Sequence, residues 1–340
     1  MTVDHHQLYV DARSGDAASG TALQRFLRAL APQDYVVCAF LLFLNLAVLD
    51  ADPSAERTRC LLNIGSLFVF HGACVVAVRS GVLTHRFLSP LLYRVATYGG
   101  VQLTYFMFAE LLPVVNHRSL DHGLYQLDLT CFGVEPAAYF DRFVTPATTE
   151  WFAFFYFGYF LLLALHVLPI LFLVKNARVL GEFALGMILL FCIGHTLYVL
   201  VPGYGPYRAM PELFAHGLPS GLWWDLTRKL VATSGAQKDI FPSLHTAAPT
   251  LLLLYSFHRR GEIPFRYSWP FVGFFAVNIV LATMFLRWHY VIDVVAGLLL
   301  AITAHTLSVW LTGREIDRRE SLGLGPAWPE WGTRVARGKG

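Results

Sequence analysis

The sequence predicts an all-α, polytopic membrane helix bundle of about eight spans, and two observations predict it. Of the 340 residues, 56% are hydrophobic and 14% charged, against roughly 45–50% and about 25% in soluble globular chains. The apolar residues also gather in runs near the ~20 residues that a helix needs to cross a bilayer. The net charge of +3 is small and the basic residues are dispersed, so no nucleic-acid partner is expected.

Residues 1–34 contain Asp4, Asp11, Asp16 and Asp34 without a continuous apolar core. They read as a cytoplasmic N-terminal segment without a cleavable signal peptide. Additional transmembrane helices are expected over 35–115, from runs near 35–50, 61–78 and 92–115. Residues 116–150 mix acids with Leu124, Leu127, Leu129, Phe132 and Phe140, a pattern that suits an interfacial loop or amphipathic segment. A small soluble insertion is the plainer alternative. A transmembrane core follows over 151–312, from runs near 151–174, 182–201, 244–258, 268–286 and 289–311. The run at 244–258 is short and contains Pro249, which predicts a kink or a start inside a buried recess. Residues 313–340, with Gly, Pro and several arginines, read as a mobile cytoplasmic tail that touches anionic lipids. Cys38, Cys60, Cys74, Cys131 and Cys192 show no paired spacing, so no disulfide framework is expected.

Eight spans put both termini on one side, and most of the 26 Lys and Arg fall in the loops of that side. Cytoplasmic loops carry such an excess, so the termini are expected in the cytoplasm. The loop from Pro202 to Pro242 and the turn before His289 then face outward or into a lumen.

Two segments bring ionisable side chains to helix ends on that opposite side. The first is Phe241-Pro242-Ser243-Leu244-His245-Thr246-Ala247. Proline favours the first helical turn, and the free N–H groups of a helix start form an anion site. Ser243 can donate to a phosphate there and His245 can protonate a leaving oxygen. The plainer alternative is a capping serine with an interfacial histidine. The second is Arg287-Trp288-His289-Tyr290-Val291-Ile292-Asp293, followed by Gly297. Spacings of four set His289, Asp293 and Gly297 along one helical face. The Asp293 carboxylate can fix the imidazole tautomer and sharpen its other nitrogen as a nucleophile or base. Gly297 would let a neighbouring helix come close. A polar pair that holds two membrane helices together is the alternative, although ionisable residues inside a membrane are functional candidates by default.

These motifs, P-S-x-H and H-x-x-x-D, resemble those of the type 2 phosphatidic acid phosphatase superfamily. Phe-Pro-Ser-Leu-His-Thr-Ala with His-Tyr-Val-Ile-Asp is more narrowly similar to the branch of inositol phosphorylceramide synthases and their bacterial relatives. The resemblance is sharpest over 201–300, looser from about 120, and absent over the first ninety or so residues. It implies a six-helix core and makes 151–312 the catalytic part. It implies that His289 attacks phosphorus to form a phosphohistidine, that Asp293 orients it, that His245 is the general acid, and that Ser243 binds phosphate.

The family's first motif, K-x-x-x-x-x-x-R-P, is absent, and Thr283 stands where its members carry an arginine. Arg208, after Val201-Pro202-Gly203-Tyr204-Gly205-Pro206-Tyr207, is a candidate bidentate phosphate donor or a Gly/Pro-turn arginine bound to solvent or lipid phosphate. Arg287 and Lys238 are weaker candidates that could simply mark the interface. Few cations favour a singly charged phosphodiester over a dianionic monoester.

Glu110, His166, Glu182 and His195 also fall in or near apolar runs, but their spacing specifies no metal site, and metal-independent chemistry without a cofactor is what the resemblance implies. An interhelical hydrogen bond suits His195 better than a site role. The aromatics from Phe152 to Phe160 read as lipid-facing or packing residues. The expected function is transfer of a phospho-headgroup from a phospholipid donor to a lipid alcohol. A lipid phosphatase with water as acceptor is the close alternative, and a transporter or scramblase the distant one.

Overall fold

A computed structural model describes residues 20–234 and 237–332. The ends of the expected terminal segments, 1–19 and 333–340, lie outside the described residues. The described residues form helices and connecting turns without a strand, apart from one isolated bridge between Gly203 and Asp239.

The helices are α1 (Ala22–Ala29), α2 (Pro32–Asp50), α3 (Ala55–Arg79), α4 (Leu88–Arg94), α5 (Gly100–Val115), α6 (Asp121–Phe132), α7 (Pro136–Phe140), α8 (Pro146–Leu173), α9 (Ala177–Leu200), α10 (Pro206–Ala209), α11 (Leu222–Ser234), α12 (Leu244–His258), α13 (Phe265–Phe285) and α14 (Val291–Ser321). Among them α2, α3, α8, α9, α13 and α14 are long and apolar enough to cross a membrane. The starts are written locally. Pro32 and Pro146 occupy first turns, Ser54 and Thr145 cap the N–H groups of Arg57 and Thr148, and Asn176 caps those of Arg178 and Val179.

The other two expected spans deviate. The run at 92–115 is broken by a π-helical turn, Val95–Gly99, between α4 and α5. At 15 residues, α12 is only about 22 Å long at ~1.5 Å per residue, and it starts at the buried Ser243. That short helix survives because protein surrounds it. It packs on α13, α14, α9 and α8, so its first N–H groups meet protein rather than lipid. The central pillar is α9, with 78% of its apolar stretch buried.

Alternation of the long helices brings the connections at 116–145, 201–243 and 286–290 to one end of the bundle, opposite the end where the described chain starts and stops. There, residues 116–145 show two faces. Leu127, Phe132 and Val134 are exposed, whereas Asp121, Asp128, Glu135 and Asp141 point inward and are buried. At the opposite end, the described part of the segment expected as a tail, up to Gly332, packs on the bundle. The last span continues helically to Ser321, and the chain after it is pinned: Trp328 is buried on Tyr93, Gln33 donates to the Ala327 carbonyl, and Arg94 donates to the Pro329 carbonyl.

Candidate active site

The turn Leu286–Tyr290 is built before its side chains do anything. Arg287 adopts φ 66, a left-handed conformation that costs a non-glycine residue roughly 1–2 kcal/mol. It is held there from both sides, because its N–H donates to the Met284 carbonyl and its own carbonyl accepts from Tyr207 N–H at 2.7 Å. The N–H groups of Trp288 and His289 both donate to the Thr283 carbonyl. Thr283, where an arginine was missing, is therefore a buried anchor of this turn.

His289 precedes the helix rather than riding on it. Tyr290 is the N-cap of α14, and Asp293 at the third helical position accepts the Tyr290 N–H at 3.0 Å. The expected shared helical face is replaced by a capping arrangement that still brings His289 Nδ1 to 3.4 Å from Asp293 Oδ2. The two atoms are not aligned as a hydrogen bond, and among the described residues His289 Nδ1 and Asp293 Oδ1 are both buried without one. Burial holds the His289 imidazole down to about 4, so it is neutral, and hence nucleophilic, at pH 7.

The second motif locks onto this turn through main chain. Ser243 N–H donates to the Asp293 carbonyl at 3.0 Å. A β-carbon at Gly297 would lie 2.5 Å from the Ser243 carbonyl oxygen, so the expected close approach at Gly297 is what the structure shows. Pro242 sits before the cap, not in the first turn. Ser243 is the N-cap of α12, buried, with its Oγ accepting the Thr246 N–H at 3.2 Å.

His245 then enters an aromatic box. Its ring stacks on Tyr156 at 4.3 Å with an 11° tilt, and lies 4.2 Å from the Tyr159 ring. Among the described residues its Nε2 has no hydrogen-bond partner. Of the α8 aromatics, expected to face lipid or to pack, Tyr156 and Tyr159 pack on this histidine. Tyr156 and Phe160 line a cavity of about 50 Å³ that also receives Arg208, Asp239, His245 and His289. One water needs roughly 10–15 Å³ by this measure, so the space suits a phosphate-sized group.

The candidate cations part company here. Arg208 faces the cavity, and among the described residues its guanidinium makes no hydrogen bond or ion pair. Arg287 does not line it: its guanidinium donates to Asp141 Oδ1 at 2.7 Å and to the His216 carbonyl at 2.6 Å, and lies over the Phe214 ring. The left-handed backbone turns this side chain away from the histidine two residues later. Lys238 is spent as well, its Nζ donating to the carbonyls of Asn116, His117 and Arg118 at 3.3–3.4 Å beyond α5. Ser243 is likewise outside the cavity lining, its hydroxyl occupied by the cap.

Sequence reasoning missed the acids that assemble this end. Asp121 accepts the N–H groups of Tyr204 and Gly205 and the Tyr290 hydroxyl. Asp128 accepts the Val291 and Ile292 N–H groups at 2.7 and 2.9 Å, the first free donors of α14. Asp141 holds Ala215, His216 and Arg287. Their partners, mostly main-chain donors, lie far along the chain, so no spacing signals them. His195, by contrast, meets Thr104 Oγ1 across two helices at 3.2 Å, away from the cavity. Among the described residues no His/Cys/Asp/Glu group could hold a metal ion.

An all-helical membrane bundle in which one histidine at the start of a helix and another just before a second helix open into one phosphate-sized cavity defines a class of membrane phosphoryl-handling proteins. A model of the PAP2 superfamily matches residues 130–307, just over half of the chain, and the protein belongs to that superfamily. No curated protein and no solved structure matches it.

Proposed function

We propose that the protein is a lipid phosphotransferase of the inositol phosphorylceramide synthase-like kind, which moves a phospho-headgroup from a phospholipid donor to a lipid alcohol through a phosphohistidine. The observation that carries this reading is the shared cavity: neutral His289, His245 and Arg208 face the same small space. In the first half-reaction the His289 lone pair forms an N–P bond while the bond from phosphorus to the diacylglycerol oxygen breaks, and His245 supplies the proton to that oxygen. In the second, the acceptor hydroxyl attacks phosphorus, gives its proton back to His245, and the N–P bond breaks. Asp293, 3.4 Å from His289 Nδ1, balances the charge that the imidazole gains on phosphorylation. Arg208 holds the non-bridging oxygens, and no metal enters the scheme. The bundle end that carries the cavity faces outward or into a lumen, with both termini cytoplasmic.

The test is mass spectrometry of lipids after purified protein meets mixed phospholipids with ceramide or diacylglycerol in the presence of chelator. A phospholipid bearing a transferred headgroup is expected. His289→Ala abolishes it, by at least about 10³-fold, with the protein still folded by size-exclusion chromatography. Free phosphate with dephosphorylated lipid would identify water as the acceptor and a phosphatase instead. Unchanged turnover by the variant would remove the enzyme reading.

A further inference from the structure

The charge in the cavity is not all positive. Asp239 lines it beside Arg208 and both histidines, and nothing in the two motifs assigns this acid a role. Its position is built rather than incidental. The preceding Lys238 is tied to the carbonyls that follow α5, and its own carbonyl accepts the Gly203 N–H at 3.2 Å. On the far side Tyr105 of α5 donates its hydroxyl to Asp239 Oδ2 at 3.2 Å. Neighbouring residues of opposite sign thus face opposite ways: the lysine is consumed as a strut, and the aspartate is delivered to the phosphate-sized space.

A carboxylate in that space is costly for an enzyme that must hold a phosphate dianion, because like charges at close range in a partly dry site repel strongly. It costs less for one that holds a monoanion against a single arginine. We propose that Asp239 is a specificity-determining residue, a charge filter that turns away doubly charged phosphate monoesters and leaves the cavity matched to singly charged phosphodiesters. This rests on the phosphotransferase reading of the same site. Burial raises the Asp239 carboxyl only to about 6, so it is still mainly ionised at pH 7 and above. The design is repulsion of the wrong ligand rather than added attraction for the right one.

The experiment compares kcat/KM for phosphatidic acid, a monoester, and phosphatidylinositol, a diester, in detergent micelles at pH 7.5, following phosphate or inositol phosphate release and transfer. Wild type is expected to prefer the diester. In Asp239→Asn the monoester-to-diester ratio rises at least tenfold, and in Asp239→Glu, which keeps the charge, it stays within about threefold of wild type. An unmoved or lowered ratio in Asp239→Asn, with wild-type turnover of the diester, overturns the filter and leaves the phosphotransferase reading standing. Absence of wild-type turnover on both probes removes that reading and the filter with it. If Asp239→Asn does not fold, inhibition of the wild-type enzyme decides: methyl phosphate must inhibit at least tenfold more weakly than dimethyl phosphate, and equal or stronger inhibition overturns the filter.

Discussion

The two ends of the bundle treat buried polar groups differently. At the end where the described chain starts and stops, charges are paired side chain to side chain. Arg79 meets Asp34 at 2.8 Å with Tyr93 closing the group, and Glu182 holds Arg259. Glu315 holds Arg319 at 2.6 Å. At the other end Asp121 and Asp128 are turned mainly to main-chain N–H groups and Asp141 holds Arg287, but among the described residues Arg208 makes no hydrogen bond or ion pair, and His245 Nε2, His289 Nδ1 and Asp293 Oδ1 are buried without hydrogen bonds. A buried polar atom without a partner is costly. The first end pairs its charges within the fold, although among the described residues Arg259 Nε and Trp328 Nε1 are left without partners there; the second gathers its unpartnered histidine atoms around one small cavity.

The strongest way to break this contrast is Asp293→Asn. The variant keeps the cap on Tyr290 N–H but loses the charge facing His289, so kcat is expected to fall about 10²- to 10⁴-fold while the melting temperature changes little. A large drop in melting temperature with kcat retained would make Asp293 a structural residue like those at the other end. The converse experiment is Asp34→Ala. Removing one partner of a buried pair leaves Arg79 uncompensated, which lowers stability by about 3–5 kcal/mol in a denaturation assay, with kcat/KM within about twofold of wild type. A loss of activity in the folded variant would mean that the two ends are coupled.

The smallest effect sharpens the comparison within the cavity end. Burial raises the Glu135 carboxyl from its ordinary 4.5 to about 8. Between those values the folded state binds more protons than the unfolded chain, so the stability linked to Glu135 is full below about 4.5 and lost as pH rises through about 8. The melting temperature of wild type should therefore fall from pH 5 to pH 8.5 more than that of Glu135→Gln. Parallel curves would show that this carboxyl titrates as an ordinary one.

Much of this was legible because membranes restrict what a sequence can mean. Apolar runs marked the helices, and His245, His289 and Asp293 stood out as ionisable groups at their ends. Proximity in sequence misled at Arg287, which is two residues from His289 yet points to Asp141 because its backbone is left-handed. It misled at Lys238, whose charge is absorbed by three carbonyls. Asp121 and Asp128 read as loop acids because their partners, at Tyr204, Gly205, Val291 and Ile292, become neighbours only through the fold. Asp239 carried no pattern at all; only the cavity shows where it points.

The absent β-carbons at Gly297 and Gly205 have a consequence for how such a site can diversify. At both positions main chain meets main chain: an added methyl would fall 2.5 Å from the Ser243 oxygen and 2.1 Å from the Trp288 oxygen. The gap between the two histidines is therefore a property of the backbone, beyond the reach of point substitutions in the packing around it. Substitutions that fit the cavity to a different ligand have to work through its lining side chains, such as Tyr204, Leu230 and Asp239. The reacting centre then stays a fixed gauge against which each new lipid is measured.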